Sequence, residues 1–122
     1  MKKIYYLKTC STCSKILKNI AIDDTFILQD IKTETITVKQ LDAMKALAGS
    51  YEALFSKQAK LYKEMDLKSV GLKERDFKQY ILEHYTFLKR PVIIINNNIF
   101  IGNSKKEVEL AKNYIATQKE KN

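Results

Sequence analysis

The sequence predicts an α/β protein in which helices flank a mixed sheet of four strands and a helical insertion divides the sheet-forming segments. Three observations predict this fold: a strand, helix and strand pattern in the first 31 residues, a middle segment with helical apolar spacing, and an apolar hairpin followed by a helix after residue 90. A strand, helix and strand within about thirty residues form a right-handed crossover with parallel strands, and a hairpin adds an antiparallel pair.

The amino-terminal part of the chain supplies the crossover. Residues 3–7 are aromatic and branched, as in strands, and lead into a polar segment of the kind that begins helices. From Cys13 the apolar residues recur at helical spacing, which places Cys13 on the inward stripe and Cys10 at the helix start. Residues 25–31 then form the second strand, parallel to the first.

Residues 37–85 are predicted to form a helical insertion. A capping box of Thr37 and Gln40 begins its first helix, and Gly49 ends it. The second apolar stripe consists of Tyr51, Leu54, Phe55, Tyr62 and Met65, and the third consists of Phe77, Tyr80, Ile81 and His84. Its place on the third stripe predicts that His84 is a packing residue and not a catalytic base.

The last part of the chain supplies the hairpin. Residues 92–95 are apolar on both faces, as in a central strand, and three asparagines that tolerate left-handed backbone angles separate them from residues 99–101. A final helix follows, with Val108, Ala111 and Ile115 predicted inward. The single proline, Pro91, precedes the buried strand, and these residues leave open whether its peptide bond is cis or trans.

Length and composition favour one domain over residues 1–122, with a sheet-forming core at about residues 1–36 and 86–118 and the insertion at about residues 37–85. No apolar run approaches the roughly 18 residues that cross a bilayer, and no secretory signal pattern is present. Two cysteines spaced by two residues exclude a secreted disulfide framework. We therefore expect a monomeric protein of the reducing cytoplasm that does not contact membranes.

The net charge of +8, from 22 Lys and Arg against 14 Asp and Glu, attracts anions and acidic partners. The lysines are spread along the chain and form no basic arm, which is typical of solvated helix faces. The chain has two arginines, Arg75 and Arg90. Direct binding to nucleic acid is therefore not expected.

The pair Cys10 and Cys13 fits two main uses, zinc binding and dithiol redox chemistry. A structural zinc site needs four ligands. The two cysteines and the only histidine of the chain, His84, supply three, so a carboxylate would have to be the fourth. Redox use fits the position, because the N–H groups at a helix start stabilise a thiolate. Two merely buried cysteines are the remaining alternative. We expect no metal, with Cys10 as nucleophile, Cys13 as resolving thiol, and added positive potential from Lys8 and Lys15.

With these features the sequence resembles the arsenate reductase (ArsC) and Spx family over about residues 3–115. The resemblance rests on Cys-Ser-Thr-Cys at 10–13 after the first strand, on Leu-Lys-Arg-Pro-Val-Ile-Ile at 88–94, and on Ile-Gly at 101–102 before the last helix. It implies a thioredoxin-like fold with a helical insertion, a cis peptide bond before Pro91, and redox chemistry at Cys10.

The resemblance also implies the surroundings of Cys10. A thioredoxin-like arrangement brings the residue before a cis proline next to the cysteine turn, so Arg90 is expected beside Cys10 as a catalytic cation for a thiolate or a bound anion. Ser11, Thr12 and Pro91 are expected to bind the substrate.

Two functions within the family stay open, and a third alternative is a structural or interaction module that keeps the fold without thiol catalysis. Its arsenate reductases hold an oxyanion with further arginines, whereas residues 54–60 and 101–104 here contain none, and lysine lacks the planar fork of arginine. Its Spx-like regulators share the Cys-x-x-Cys pair and the Ser-x-x-x-Lys-x-aromatic pattern of residues 56–62. The resemblance implies a thiol-disulfide oxidoreductase served by glutathione or a thioredoxin-type reductant, without a bound cofactor, or a redox-sensing regulator that contacts RNA polymerase.

Overall fold

The structure, a computed structural model, describes residues 1–121, so the last residue of the predicted domain lies outside the described residues. These residues form the strands β1 (Lys2–Tyr6), β2 (Ile27–Asp30), β3 (Val92–Ile95) and β4 (Asn98–Ile101). They also form the helices α1 (Ser11–Asn19), α2 (Val38–Ala48), α3 (Lys60–Glu64), α4 (Glu74–Glu83) and α5 (Lys105–Lys121), with short 3₁₀ helices at Glu52–Leu54, Leu67–Ser69 and Tyr85–Phe87. No helix in this part of the chain is long and apolar enough to cross a membrane.

The chain divides into two compact units. One consists of Met1–Ile31 together with the chain from Arg90 onward, and the other of Lys32–Lys89. The first unit contains the strands, α1 and α5, and the second contains α2, α3, α4 and the 3₁₀ helices. The sequence-based divisions, near residues 36 and 86, lie a few residues from the observed ones.

The sheet of the first unit has the strand order β2-β1-β3-β4. Strand β1 runs parallel to β2, with Ile4 opposite Leu28, and antiparallel to β3, with Ile4 opposite Ile93. Strands β3 and β4 form an antiparallel hairpin, and Asn96 in its turn adopts a positive φ of 56°. The predicted mixed sheet of four strands, its parallel crossover and its hairpin are therefore confirmed.

The core of the first unit lies between the sheet and its two helices. Its buried members are Ile4, Ile93 and Ile95 from the sheet, Ile16, Leu17 and Ile20 from α1 and the residue after it, Phe26 before β2, and Val108, Ala111 and Ile115 from α5. Burial of such apolar side chains contributes about 25 cal/mol per Å² of surface removed from water. The inward stripes predicted for both helices are confirmed.

The second unit begins with a capped helix. The Gln40 amide N–H donates to Thr37 Oγ1 at 3.0 Å, and the Thr37 N–H donates to Gln40 Oε1 at 3.0 Å, so the predicted capping box is present. Helix α2 ends at Gly49, whose φ of 95° favours a residue without Cβ. The core of this unit contains Phe55, whose ring stacks on Phe87 with centroids 5.0 Å apart.

The helix predicted over the stripe from Tyr51 to Met65 is wrong. The Ser56 N–H donates to the Phe87 carbonyl at 2.7 Å, and the Lys89 N–H donates to the Leu54 carbonyl at 2.8 Å. These main-chain bonds hold Phe55 extended and opposite Leu88, so the stripe splits into a 3₁₀ turn and the short helix α3. Met65, predicted inward, is 43% exposed.

The buried helical position predicted for His84 is also wrong. Helix α4 ends at Glu83, and His84 has extended backbone angles, φ −137° and ψ 112°, so its side chain leaves the apolar stripe. The residue is exposed. Its ring meets the edge of Phe87 with centroids 5.7 Å apart.

Candidate active site at the Cys10 and Cys13 pair

Cys10 lies at the N-cap of α1, at the end of the turn that follows β1. Its backbone is extended, with φ −88° and ψ 114°. The Cys10 N–H donates to the Leu7 carbonyl at 3.0 Å, and the Cys10 carbonyl accepts from the Ser14 N–H at 3.2 Å. The thiol is therefore held at the helix start, where main-chain N–H groups are available to it, as predicted.

The environment of Cys10 favours its thiolate. Partial burial raises the pKa of the thiol, but hydrogen bonds from the Cys13 N–H, the Cys13 thiol and the Thr12 N–H, together with the charge of Arg90, outweigh it. The net result is a pKa below the ordinary value of 9.0. The nucleophile predicted from the sequence thus has the electrostatics of a reactive thiol.

The environment of Cys13 favours its thiol. Its side chain is 1% exposed on the inward face of α1. Burial is the main cause that raises the pKa of Cys13, and the charge of Cys10 and the hydrogen bond that Cys13 donates to it raise the pKa further. A hydrogen bond from the Leu7 N–H and the charge of Arg90 lower it. The net result is a pKa of about 11. The two thiols of one site therefore differ in the direction of their pKa shifts.

Arg90 and Pro91 precede β3, the neighbour of β1 in the sheet. The Arg90–Pro91 peptide bond is cis, as the family resemblance implied. Val92 lies opposite Tyr5 of β1, so Pro91 is brought to the end of β1 from which the cysteine turn starts. Arg90 is half-buried, and its charge lowers the pKa of both thiols.

The other predicted site residues lie around this centre. Ser11 and Thr12 are exposed in the first turn of α1, and Pro91 is buried. Lys8 and Lys15 are both exposed, and their contribution to the positive potential stays a prediction. The positions of Ser11, Thr12 and Pro91 agree with the predicted site, and their roles toward a substrate stay predictions.

One contributor was missed by sequence reasoning. The Leu7 N–H donates a hydrogen bond to the Cys13 sulfur, which lowers the pKa of Cys13. The donor belongs to the main chain, and the Leu7 side chain itself is buried and apolar. No side-chain motif could have indicated it, because any residue except proline offers the same N–H group.

The arrangement can carry out thiol exchange. Both cysteines are free thiols, one partly exposed and one buried, and a cation acts on both. The described residues contain no group of three or more His, Cys, Asp and Glu side chains that could hold a metal ion. The protein has a thiol pair at a strand-to-helix turn, a cis proline at the neighbouring strand, and a sheet with the strand order β2-β1-β3-β4. These features together define a thioredoxin-like thiol protein.

Comparison with known proteins places the chain more narrowly. The model of the ArsC family matches residues 5–111, and the chain belongs to this family. The global transcriptional regulator Spx 2 of Bacillus cereus is 26% identical over 110 residues, which cover 86% of this chain and 82% of the regulator.

Solved structures show the same fold. An ArsC family related protein from Bacteroides fragilis matches with a TM-score of 0.73 and 23% identity, covering 90% of this chain and 96% of that one. The arsenate reductase from Vibrio cholerae matches with a TM-score of 0.72 and 21% identity, covering 90% and 96%. The predicted thioredoxin-like fold and family resemblance are confirmed.

Proposed function

We propose that this protein is a thiol-disulfide oxidoreductase in which Cys10 is the nucleophile and Cys13 the resolving thiol. The observation that carries the proposal is the placement of the two thiols: Cys10 is partly exposed at the start of α1, where its pKa is lowered, and Cys13 is buried, which raises its pKa to about 11. One sulfur is thereby prepared to attack, while the other keeps its proton until it is needed.

The reaction begins at Cys10. Its thiolate attacks one sulfur of a disulfide R–S–S–R′, forms a Cys10–S–S–R bond and expels R′–S⁻, which takes up a proton. Arg90 favours the thiolate before the attack, because a nearby positive charge stabilises the anionic form. Ser11, Thr12 and Pro91 are proposed to contact the substrate.

The second step belongs to Cys13. Once Cys10 is in a mixed disulfide, its negative charge is gone, and with it one of the causes that raise the pKa of Cys13. Cys13 then loses its proton, attacks the Cys10 sulfur, forms the Cys10–Cys13 bond and releases R–S⁻. The substrate gains two electrons and the protein loses them, and glutathione or a thioredoxin-type thiol returns them to the protein.

The substrate class is proposed as disulfides and not arsenate. The chain has two arginines, and only Arg90 belongs to the unit that carries the cysteines. An oxyanion is held best by several planar guanidinium forks, which lysines do not replace. Thiol exchange needs only the nucleophile, the resolving thiol and the cation.

A second candidate is a redox-sensing regulator that contacts RNA polymerase. The observation that favours it is the similarity to a protein named as a global transcriptional regulator, which covers 86% of this chain. In this case the Cys10–Cys13 disulfide would be a switch and not a catalytic intermediate. Turnover of hydroxyethyl disulfide with glutathione supports the first function, whereas retention of polymerase subunits by only one redox form supports the second.

The Cys13→Ser variant tests the thiol roles. Incubated with oxidised glutathione, it should accumulate one glutathione adduct at Cys10, because the resolving attack is lost, while the wild type forms an internal disulfide. Cys10→Ser is the matched control and should form little adduct. Intact-mass measurements read the result, and equal adduct on both variants contradicts the assignment.

A further inference from the structure

A cavity in the helical insertion is lined by residues that the thiol chemistry does not use. It has a volume of about 490 Å³ and lies within the unit Lys32–Lys89, whereas the cysteines and Arg90 belong to the other unit. Small-molecule sites are concave and span roughly 300 to 1,000 Å³. The cavity is therefore large enough for a small organic ligand.

The apolar part of the lining is held in place by packing. Leu67 and Phe77 are buried, and Tyr62 and Leu72 are half-buried. The Phe77 ring packs on Phe55 with centroids 4.9 Å apart, and the Tyr62 ring meets Phe55 at 5.8 Å. Because the two aromatic walls share one buried neighbour, the cavity does not have to form anew when a ligand enters.

The charged part of the lining has an excess of positive charge. Lys57 Nζ lies 2.6 Å from Glu52 Oε2 and 5.9 Å from the centre of the Phe77 ring, so this ion pair stands beside the aromatic wall. Lys68 is the third charged residue of the lining and is exposed. With Lys57 neutralised locally by Glu52, the charge that Lys68 adds has no acidic counterpart in the lining.

The lining also has an open side. Gly71 has a φ of 72°, and a Cβ built on it would meet no atom within 4 Å. The exposed apolar side chains of Met65 and Val70 lie in the same segment of the chain. The lining is therefore open on the side of Gly71.

We propose that this cavity binds a small amphipathic carboxylate, with an aromatic or branched aliphatic body. The body packs on Phe77, Leu67 and Leu72, and the carboxylate pairs with Lys68. A neutral apolar ligand would leave the Lys68 charge unused, and a larger polyanion would gain nothing from the apolar walls. The proposal shares no residue with the thiol site, so it does not depend on the proposed function.

Titration of the isotope-labelled protein, residues 1–122, with naphthaleneacetate, followed by amide NMR, tests the proposal. We expect saturable shifts confined to the cavity residues, and weaker binding of the uncharged naphthaleneacetamide. Lys68→Gln should weaken naphthaleneacetate binding by about three-fold to five-fold, the effect of one exposed ion pair. Lys63→Gln is the matched control, because Lys63 is an exposed lysine of the same segment outside the lining.

Three results would overturn the proposal. Shifts that do not saturate, or that spread over lysines of the whole surface, would show charge attraction without a site. An equal loss of naphthaleneacetate affinity in Lys68→Gln and Lys63→Gln would also show charge attraction without a site. Equal affinity for the acid and its amide would exclude a carboxylate-selective cavity. Both variants change exposed side chains, so loss of the fold does not confuse the outcome.

Discussion

The thiol of Cys13 donates a hydrogen bond to the sulfur of Cys10. This bond lowers the pKa of Cys10 and raises that of Cys13, because it stabilises the anion on one sulfur and the proton on the other. The opposite pKa shifts of the two cysteines therefore come from their mutual contact as well as from their different burial.

Replacing Cys13 separates the hydrogen bond from the other influences on Cys10. Cys13→Ala removes the donor and should raise the pKa of Cys10, whereas Cys13→Ser keeps a hydroxyl donor and should raise it less. The pH dependence of thiolate absorbance in the ultraviolet measures both. The same pKa of Cys10 in the two variants and the wild type would show that the thiol contact has no influence.

Arg90→Ala removes the cation that acts on both thiols. The pKa of Cys10 should rise, and its alkylation at neutral pH should slow by roughly two-fold to five-fold, as expected for one charge interaction of about 0.5 to 1 kcal/mol. Arg75→Ala, in the other unit, is the matched control and should behave as the wild type. An Arg90→Ala profile that overlays the wild type removes Arg90 from the site.

Gly49→Ala should destabilise the protein by about 1 kcal/mol, because a residue with Cβ is strained at left-handed backbone angles. The φ of Gly49 is 95°, and an added Cβ would meet no atom within 4 Å, so the cost comes from the backbone alone. Chemical denaturation measures it. Gly49→Asn should cost less, since asparagine tolerates these angles. An alanine variant as stable as the wild type contradicts the explanation.

His84→Asn should leave the alkylation rate of Cys10 unchanged. His84 is exposed and belongs to the unit Lys32–Lys89, and the groups that set the pKa of Cys10 are Cys13, Thr12 and Arg90. Stopped-flow alkylation of the variant and the wild type makes the comparison. A large loss of reactivity would show that His84 acts as a base in the thiol chemistry.

The first unit could be predicted from sequence because its signals are local. Three local patterns each predict one element: the helical spacing after Cys13 predicts α1, the apolar run before the asparagines predicts β3, and the apolar stripe after residue 104 predicts α5. The insertion was less predictable. Phe55 belongs to an apolar stripe at helical spacing, but main-chain bonds to residues 87–89 hold it extended, and no local pattern indicates a partner about thirty residues away.

The site shows the same division between local and long-range information. Cys10 and Cys13 could be placed from their spacing at a strand-to-helix turn, and Arg90 from a family resemblance. The Leu7 N–H that bonds Cys13 could not be predicted, because it depends on how the turn folds back on the helix. Arg90 lies about eighty residues further along the chain than Cys10, so its effect on the pKa of the thiols depends on the fold and not on nearness in sequence.

The rates at which iodoacetamide alkylates each cysteine across pH, read by mass spectrometry of the peptides, test the central claim most directly. Only thiolates react, so the rate for Cys10 should reach half its maximum below pH 9.0, and that for Cys13 only near pH 11. At neutral pH Cys10 should therefore react far faster. Equal rates, or a faster Cys13, would contradict the assignment of nucleophile and resolving thiol.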